Sequence, residues 1–163
     1  MFSWRVTKYN PLNRHADGSY IDQDEWTSFS EVGTKVSMED YLNTEKNYIN
    51  AITAFMEDMQ LKSVCLTSLE YWPDETEEYD VAEFMSKMQI GISLSVQEVK
   101  ELAKLTLREI IWCKLSYKKQ FFVHFGYDYY MYIGTAEKCS TARQKVQSLG
   151  LYVEPFVSPH ADL

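Results

Sequence analysis

The sequence predicts an α+β fold: one domain, an antiparallel or mixed sheet with a meander in its C-terminal half, and about three helices packed mainly on one face. Three observations carry this. Segments 38–59 and 96–111 repeat apolar residues every three or four positions behind a capping residue, the period of an amphipathic helix. The run from Phe121 to Gly134 is dense in aromatic and β-branched residues, which suit a pleated, half-buried surface. Strand-like and helix-like segments follow one another without strict alternation, which points away from repeated βαβ units.

Taken in order, Phe2, Trp4 and Val6 alternate with polar neighbours and make a first strand that Pro11 closes. Residues 11–24 are polar and contain Asp17-Gly18, a loop signature. Around Trp26 and Phe29 we expect a short strand. Ser37 stands three residues before Asp40, a capping-box spacing, and Tyr41, Leu42, Tyr48, Ile52, Phe55 and Met56 continue as one apolar stripe. Val64, Leu66 and Leu69 mark a second strand over 62–71. Pro73 then breaks the chain, and 72–80 reads as a solvated acidic loop.

A helical turn over 81–88 and an extended segment over 89–94 lead to Ser95-Val96-Gln97-Glu98, a capping box of the Ser-x-x-Glu type. The helix that follows buries Val99, Leu102, Leu105, Ile110 and Ile111. Residues 113–117 open the meander, 136–149 make a third helix ended by Gly150, and 151–157 form a last, Pro-limited edge strand. The domain is 1–163, with 158–163 expected as a frayed tail.

Two geometries are open for 121–134. One continuous strand places His124 roughly 13 Å from Asp128, at about 3.3 Å per residue. A tight turn at Gly126-Tyr127-Asp128 instead folds the run into a hairpin, with His124 facing residues near Tyr130. Gly126 would supply a positive φ. We favour the hairpin.

Composition narrows the function classes. The formal net charge of −8 and few basic residues disfavour nucleic acid, whose binding rests on Lys and Arg neutralising phosphates. No apolar run reaches the roughly 20 residues a bilayer-spanning helix requires, and no leader is readable at the N-terminus. Cys65, Cys113 and Cys139 are widely spaced and form no metal motif, so reduced thiols in a cytoplasmic protein are expected. No phosphate loop, nucleophile elbow, metal triad or cofactor motif occurs.

Two candidate sites remain. The first is partner-binding: Asp74, Glu75, Glu77 and Glu78, flanked by Trp72 and Tyr79 and joined by Tyr132, form an acidic and aromatic surface suited to a basic protein. Twelve tyrosines are more than a core holds easily, since each buried hydroxyl requires a partner. The second is catalytic: His124 as general base, Asp128 orienting it, and Tyr130 or Arg5 stabilising negative charge. The plainer alternative there is a histidine bonded within a sheet. Cys113 beside Trp112 is read as a buried hydrophobe or a reactive thiol.

The opening Trp4-Arg5-Val6-Thr7-Lys8-Tyr9-Asn10-Pro11, the segment 24–33 and the run from His124 to Gly134 resemble a family of small uncharacterised bacterial proteins. That resemblance implies no activity and no site residues. Size and acidity are also similar to those of immunity proteins. The expectation is therefore a non-enzymatic, immunity-like or regulatory binder of a basic partner, with homodimerisation possible. The alternative is a small enzyme or small-molecule binder with its site on the 121–134 hairpin.

Overall fold

Alternating apolar residues give seven antiparallel strands in the computed structural model, which describes residues 1–16 and 25–160. They are β1 (Phe2–Thr7), β2 (Ser63–Tyr71), β3 (Ser93–Ser95), β4 (Ile111–Tyr117), β5 (Phe121–Phe125), β6 (Met131–Thr135) and β7 (Tyr152–Pro155), in the order β3-β2-β4-β5-β6-β1-β7. The Asp17-Gly18 loop and residues 161–163 of the expected tail lie outside the described residues. β4, β5 and β6 form the meander, and β1 closes the sheet by inserting between β6 and β7.

One face is apolar. Trp4, Val6, Leu66, Cys113, Leu115, Val123, Phe125, Met131 and Ile133 are buried in one continuous core. Three longer helices pack there, α1 (Met38–Asp58), α4 (Val96–Leu107) and α5 (Ser140–Ser148), and each fully buried large side chain contributes roughly 1.5–3 kcal/mol. Short α2 (Pro73–Thr76) and α3 (Ala82–Ser86) complete the chain. Val64, Leu66 and Leu69 break period-2 parity, and a register shift between Leu66 and Ser68 restores it, so that Leu66 and Leu69 both oppose core residues of β4.

The caps explain the helix boundaries. Ser37 Oγ accepts from Asp40 N, and Ser95 and Glu98 form the reciprocal box. The second long helix stops at Leu107, short of the expected 111, because Glu109 N donates to Thr106 O and Ile110 N to Leu105 O. These are the paired bonds of a Schellman motif with Glu109 at C′, φ 63°. The third begins at Ser140, later than the expected 136, since Ala136 N is taken by Gln120 O in a continuation of the ladder. Asp58 at the end of α1 then accepts from Ala142 N.

Two other segments differ from expectation. Around Trp26 there is no strand: Ser28 caps Ser30 N and Glu31 accepts from Thr27 N, closing a single 3₁₀ turn at Phe29–Glu31 while Trp26 is buried. Residues 73–79 are not an open loop but two short helical turns. Pro73 sits at the first helical position and Asp74 and Glu75 in the first turn, where fixed φ and negative charge are both favourable.

Candidate functional site

The ladder registers place Lys114, His124, Tyr132, Arg5 and Glu154 in one row across β4, β5, β6, β1 and β7, on the face away from the long helices. The C-terminal segment lies over this row. Ser158 Oγ and His124 Nδ1 are 2.8 Å apart, Lys114 Nζ donates to His160 O at 2.6 Å, and the Tyr132 ring meets those of Phe156 and His160. The Arg5 guanidinium lies 4.1 Å from the Phe156 centroid and 5.2 Å from that of Tyr130, and bonds Glu154 at 2.6 Å. Arg14 also reaches Glu154. Burial pushes the Glu154 carboxyl up, but the two guanidiniums outweigh it and hold it below its ordinary value. Burial, with Lys114 nearby, lowers the His160 imidazole.

The 121–134 run is a hairpin, yet its turn differs from the expected one. Asp128 and Tyr129 take the left-handed conformation, φ 57° and 64°, the pair of positive angles of a type I′ turn, and Tyr130 N donates to Tyr127 O. Gly126 does not carry the positive φ. Its lack of a side chain matters for close approach: a Cβ there would meet Tyr130 O at 3.1 Å and His160 Nε2 at 3.2 Å. Two tyrosine hydroxyls hold the strained turn, Tyr9 donating to Asp128 O at 2.6 Å and Tyr48 to Tyr129 O at 2.7 Å.

The expected catalytic group is therefore divided. His124 faces Tyr132 rather than Tyr130 and stacks on Phe122 at 4.2 Å. Asp128 is exposed at the turn, beyond the end of the strand that holds His124. Arg5 and Tyr130 do meet. Of the expected partner-binding residues, Trp72, Asp74, Glu75, Glu77, Glu78 and Tyr79 are exposed, whereas Tyr132 is buried beneath Phe156 and His160. The surplus of tyrosine is accommodated largely by carbonyls, as Tyr9, Tyr48 and Tyr129 all donate to backbone oxygen.

A cleft of about 560 Å³ opens at the end of the sheet where β2 and β5 finish and β4 and β6 begin. Trp72, Trp112, Tyr127 and Tyr130 give it aromatic walls, and Glu70, Glu109 and Asp128 supply three carboxylates. Among the described residues, no Lys or Arg lines it. Glu70 stands directly opposite Trp112 in the β2–β4 ladder, so the carboxylate and the indole are same-face neighbours. Trp112 Nε1 donates to Phe125 O at 2.9 Å, which fixes the ring, and Ser28 Oγ donates to the Glu109 carboxylate at 3.0 Å. Immediately beyond Trp72, Asp74, Glu75, Glu77 and Glu78 form a second, shallower depression.

Of the residues lining this cleft, the sequence singles out Trp72 for partner binding and Asp128 and Tyr130 for catalysis, gives no role to Glu70, Glu109 or Tyr127, and shows Trp112 only as the neighbour of Cys113. Glu70 looks like any solvated strand residue until its partner across the ladder is known. Glu109 carries no mark in the sequence either: the apolar pattern runs on to Ile111, and only the Schellman bonds show that the helix ends before it.

Other chemistry finds little support. Cys113 is buried, which pushes its thiol up to about 12 despite a hydrogen bond with Thr106, and so it is a packed side chain rather than a nucleophile. Among the described residues, no cluster of three or more His, Cys, Asp or Glu is placed to hold a metal ion, and no helix is long and apolar enough to cross a membrane. No family model, curated protein or solved structure matches the chain.

Proposed function

We propose that the chain is a non-enzymatic interaction module, an immunity-like or regulatory binder in the cytoplasm, that docks a basic protein partner on the acidic and aromatic end of its sheet. One observation carries the reading: a cleft with three carboxylates and no lining Lys or Arg adjoins a ledge with four more carboxylates, and exposed Trp72 leads from one to the other along the chain. A field of one sign gathered at one end of a molecule speeds encounter with an oppositely charged surface and discriminates against acidic ones. Exposed aromatics beside it supply the area that binding hot spots use. The three cysteines are free, and two of them are buried, which suits a reducing compartment.

The test is a pull-down from source lysate with the purified protein as bait, washed at low and high salt. Recovery of a stoichiometric basic protein that high salt releases is the expected result. Replacing Asp74, Glu75, Glu77 and Glu78 by Asn or Gln should then slow association by roughly tenfold and flatten its salt dependence, with dissociation little changed. Unchanged association kinetics in that variant would remove the electrostatic part of the reading.

A further inference from the structure

Resting on the basic-partner reading, we infer that the cleft is an arginine pocket: it takes a guanidinium side chain of the partner, with Glu70 and Glu109 as its carboxylate ligands and Trp72, Trp112 and Tyr127 as its stacking faces. Guanidinium recognition requires a planar, weakly hydrated cation to lie on aromatic faces while a carboxylate meets its N–H edge. The cleft places these two elements side by side. Glu70 is the ladder neighbour of Trp112, Trp72 follows two residues later, and Tyr127, 84% exposed, projects from the hairpin turn.

The same chain shows how such a pairing is satisfied. Arg5 is held between the Tyr130 and Phe156 rings while bonded to Glu154, and Arg108 meets Glu45 through Nε and Nη2 with Phe29 5.8 Å away. At the cleft aromatic faces and carboxylates again stand together, with no Lys or Arg among the described lining residues, although its Tyr130 wall already meets Arg5. Lys114 Nζ, 5.6 Å from the Trp112 centroid, shows that this ring accepts a cation, but it is directed to the His160 carbonyl.

Backbone conformation supports assigning Glu109 to binding. It occupies the C′ position of the helix end, where glycine is strongly preferred, at φ 63°. Seven described non-glycine residues have positive φ, and three of them, Glu109, Asp128 and Tyr129, line this one cleft. Strain of this kind persists where the surroundings hold it, and binding sites are where it gathers. Glu109 is therefore a residue whose replacement by glycine relieves the fold and impairs the pocket.

The experiment titrates the full chain with two peptides, one alternating glycine and arginine and the other glycine and lysine, at about 0.15 M salt. The Trp72 and Trp112 indole N–H resonances report occupancy of the cleft. The arginine peptide should bind about tenfold more tightly than the lysine peptide and shift both indoles. E70Q and E109Q should each weaken it about fivefold to tenfold, and E109G should weaken it equally while raising the urea midpoint. Equal affinity for the two peptides, or full affinity in E70Q and E109Q, overturns the assignment. So does an E109G protein that binds as tightly as the parent. Arginine-peptide binding lost only in the ledge variant overturns the pocket but leaves the basic-partner reading in place, whereas the lysate pull-down alone decides that reading.

Discussion

Replacing Gly134 by alanine should destabilise the sheet, and the structure sets both size and cause. Gly134 pairs with Phe122 across the β5–β6 ladder, and a Cβ built on it would lie 1.8 Å from ring Cε2 and 2.3 Å from Cδ2, far inside contact distance. The ring is also stacked on His124 at 4.2 Å, which is bonded to Ser158, so making room for the methyl means giving up that stack. Were the space empty, alanine would gain about 0.5–1 kcal/mol over a strand glycine. Forcing a methyl into a packed site costs about 1–3 kcal/mol, so G134A should lose about 1–2 kcal/mol net.

F122A removes the obstacle. Alone it should cost about 1–2 kcal/mol, below the 3–5 kcal/mol typical of a fully buried ring because Phe122 is half-buried. In that background G134A should turn neutral or stabilising, leaving a coupling of about 2 kcal/mol. Urea denaturation followed by circular dichroism measures all four proteins, with a constant slope as the check that only stability has changed. A neutral G134A in the parent, or the same cost in both backgrounds, would refute the reasoning. Neither variant should alter peptide binding at the cleft, because neither Phe122 nor Gly134 lines it.

Three further outcomes are expected. R108M leaves the buried Glu45 carboxylate without its bidentate partner and should cost about 3–5 kcal/mol in urea denaturation, with E45Q/R108M less damaged than R108M alone. Y48F removes a hydroxyl that donates to Tyr129 O and accepts from Lys8 N, so it should cost about 2 kcal/mol and speed hydrogen exchange at the 126–130 turn. For Glu154, whose folded carboxyl is held below its ordinary value, the unfolded chain takes up the proton first as pH falls; its contribution is complete above about 4.3 and disappears as pH drops through the folded value. The stability gap between wild type and E154Q, measured by urea midpoints from neutral to acid pH, should therefore close toward low pH, and a gap independent of pH would contradict the ion pair.

Periodicity and capping read correctly at the long helix starts and in the densest strand run. Ser37 and Ser95 mark helix starts from four consecutive residues, and the aromatic run announces a hairpin. What escaped is partly local, as in the 3₁₀ turn at Phe29–Glu31 and the helical turns of 73–79, and partly set by partners distant in sequence. The 136–139 segment has helical composition, but Ala136 N is committed to Gln120, a bond that no local window contains. His124 is drawn into a polar cluster by sequence proximity to Asp128, while the register gives it Tyr132 and the returning chain gives it Ser158. That return also gives 158–160 contacts that the tail composition does not announce: Ser158 is buried and the His160 carbonyl accepts from Lys114.

The position of the cleft follows from topology once both faces of the sheet are accounted for. Long helices cover one face, and along the β4–β1 row the C-terminal segment lies over the other, so concavity has to form at an end. In an antiparallel order β2-β4-β5-β6 the connections after β2, before β4 and between β5 and β6 all emerge at the same end. Trp72, Glu109 and the 126–130 turn belong to these three connections, which is why residues 72, 109 and 127 share a cleft despite their separation in sequence. The strained conformations at Glu109, Asp128 and Tyr129 gather there as well, although a glycine at each would ease the backbone. The Cβ and carboxylate that Glu109 keeps at a glycine position bring no packing advantage to an exposed residue. Ser28 Oγ bonds that carboxylate at 3.0 Å, and on the arginine-pocket proposal a guanidinium meets it as well, so a gain in stability paired with a loss of binding in E109G is the combination that distinguishes a binding residue from one kept for the Ser28 bond alone.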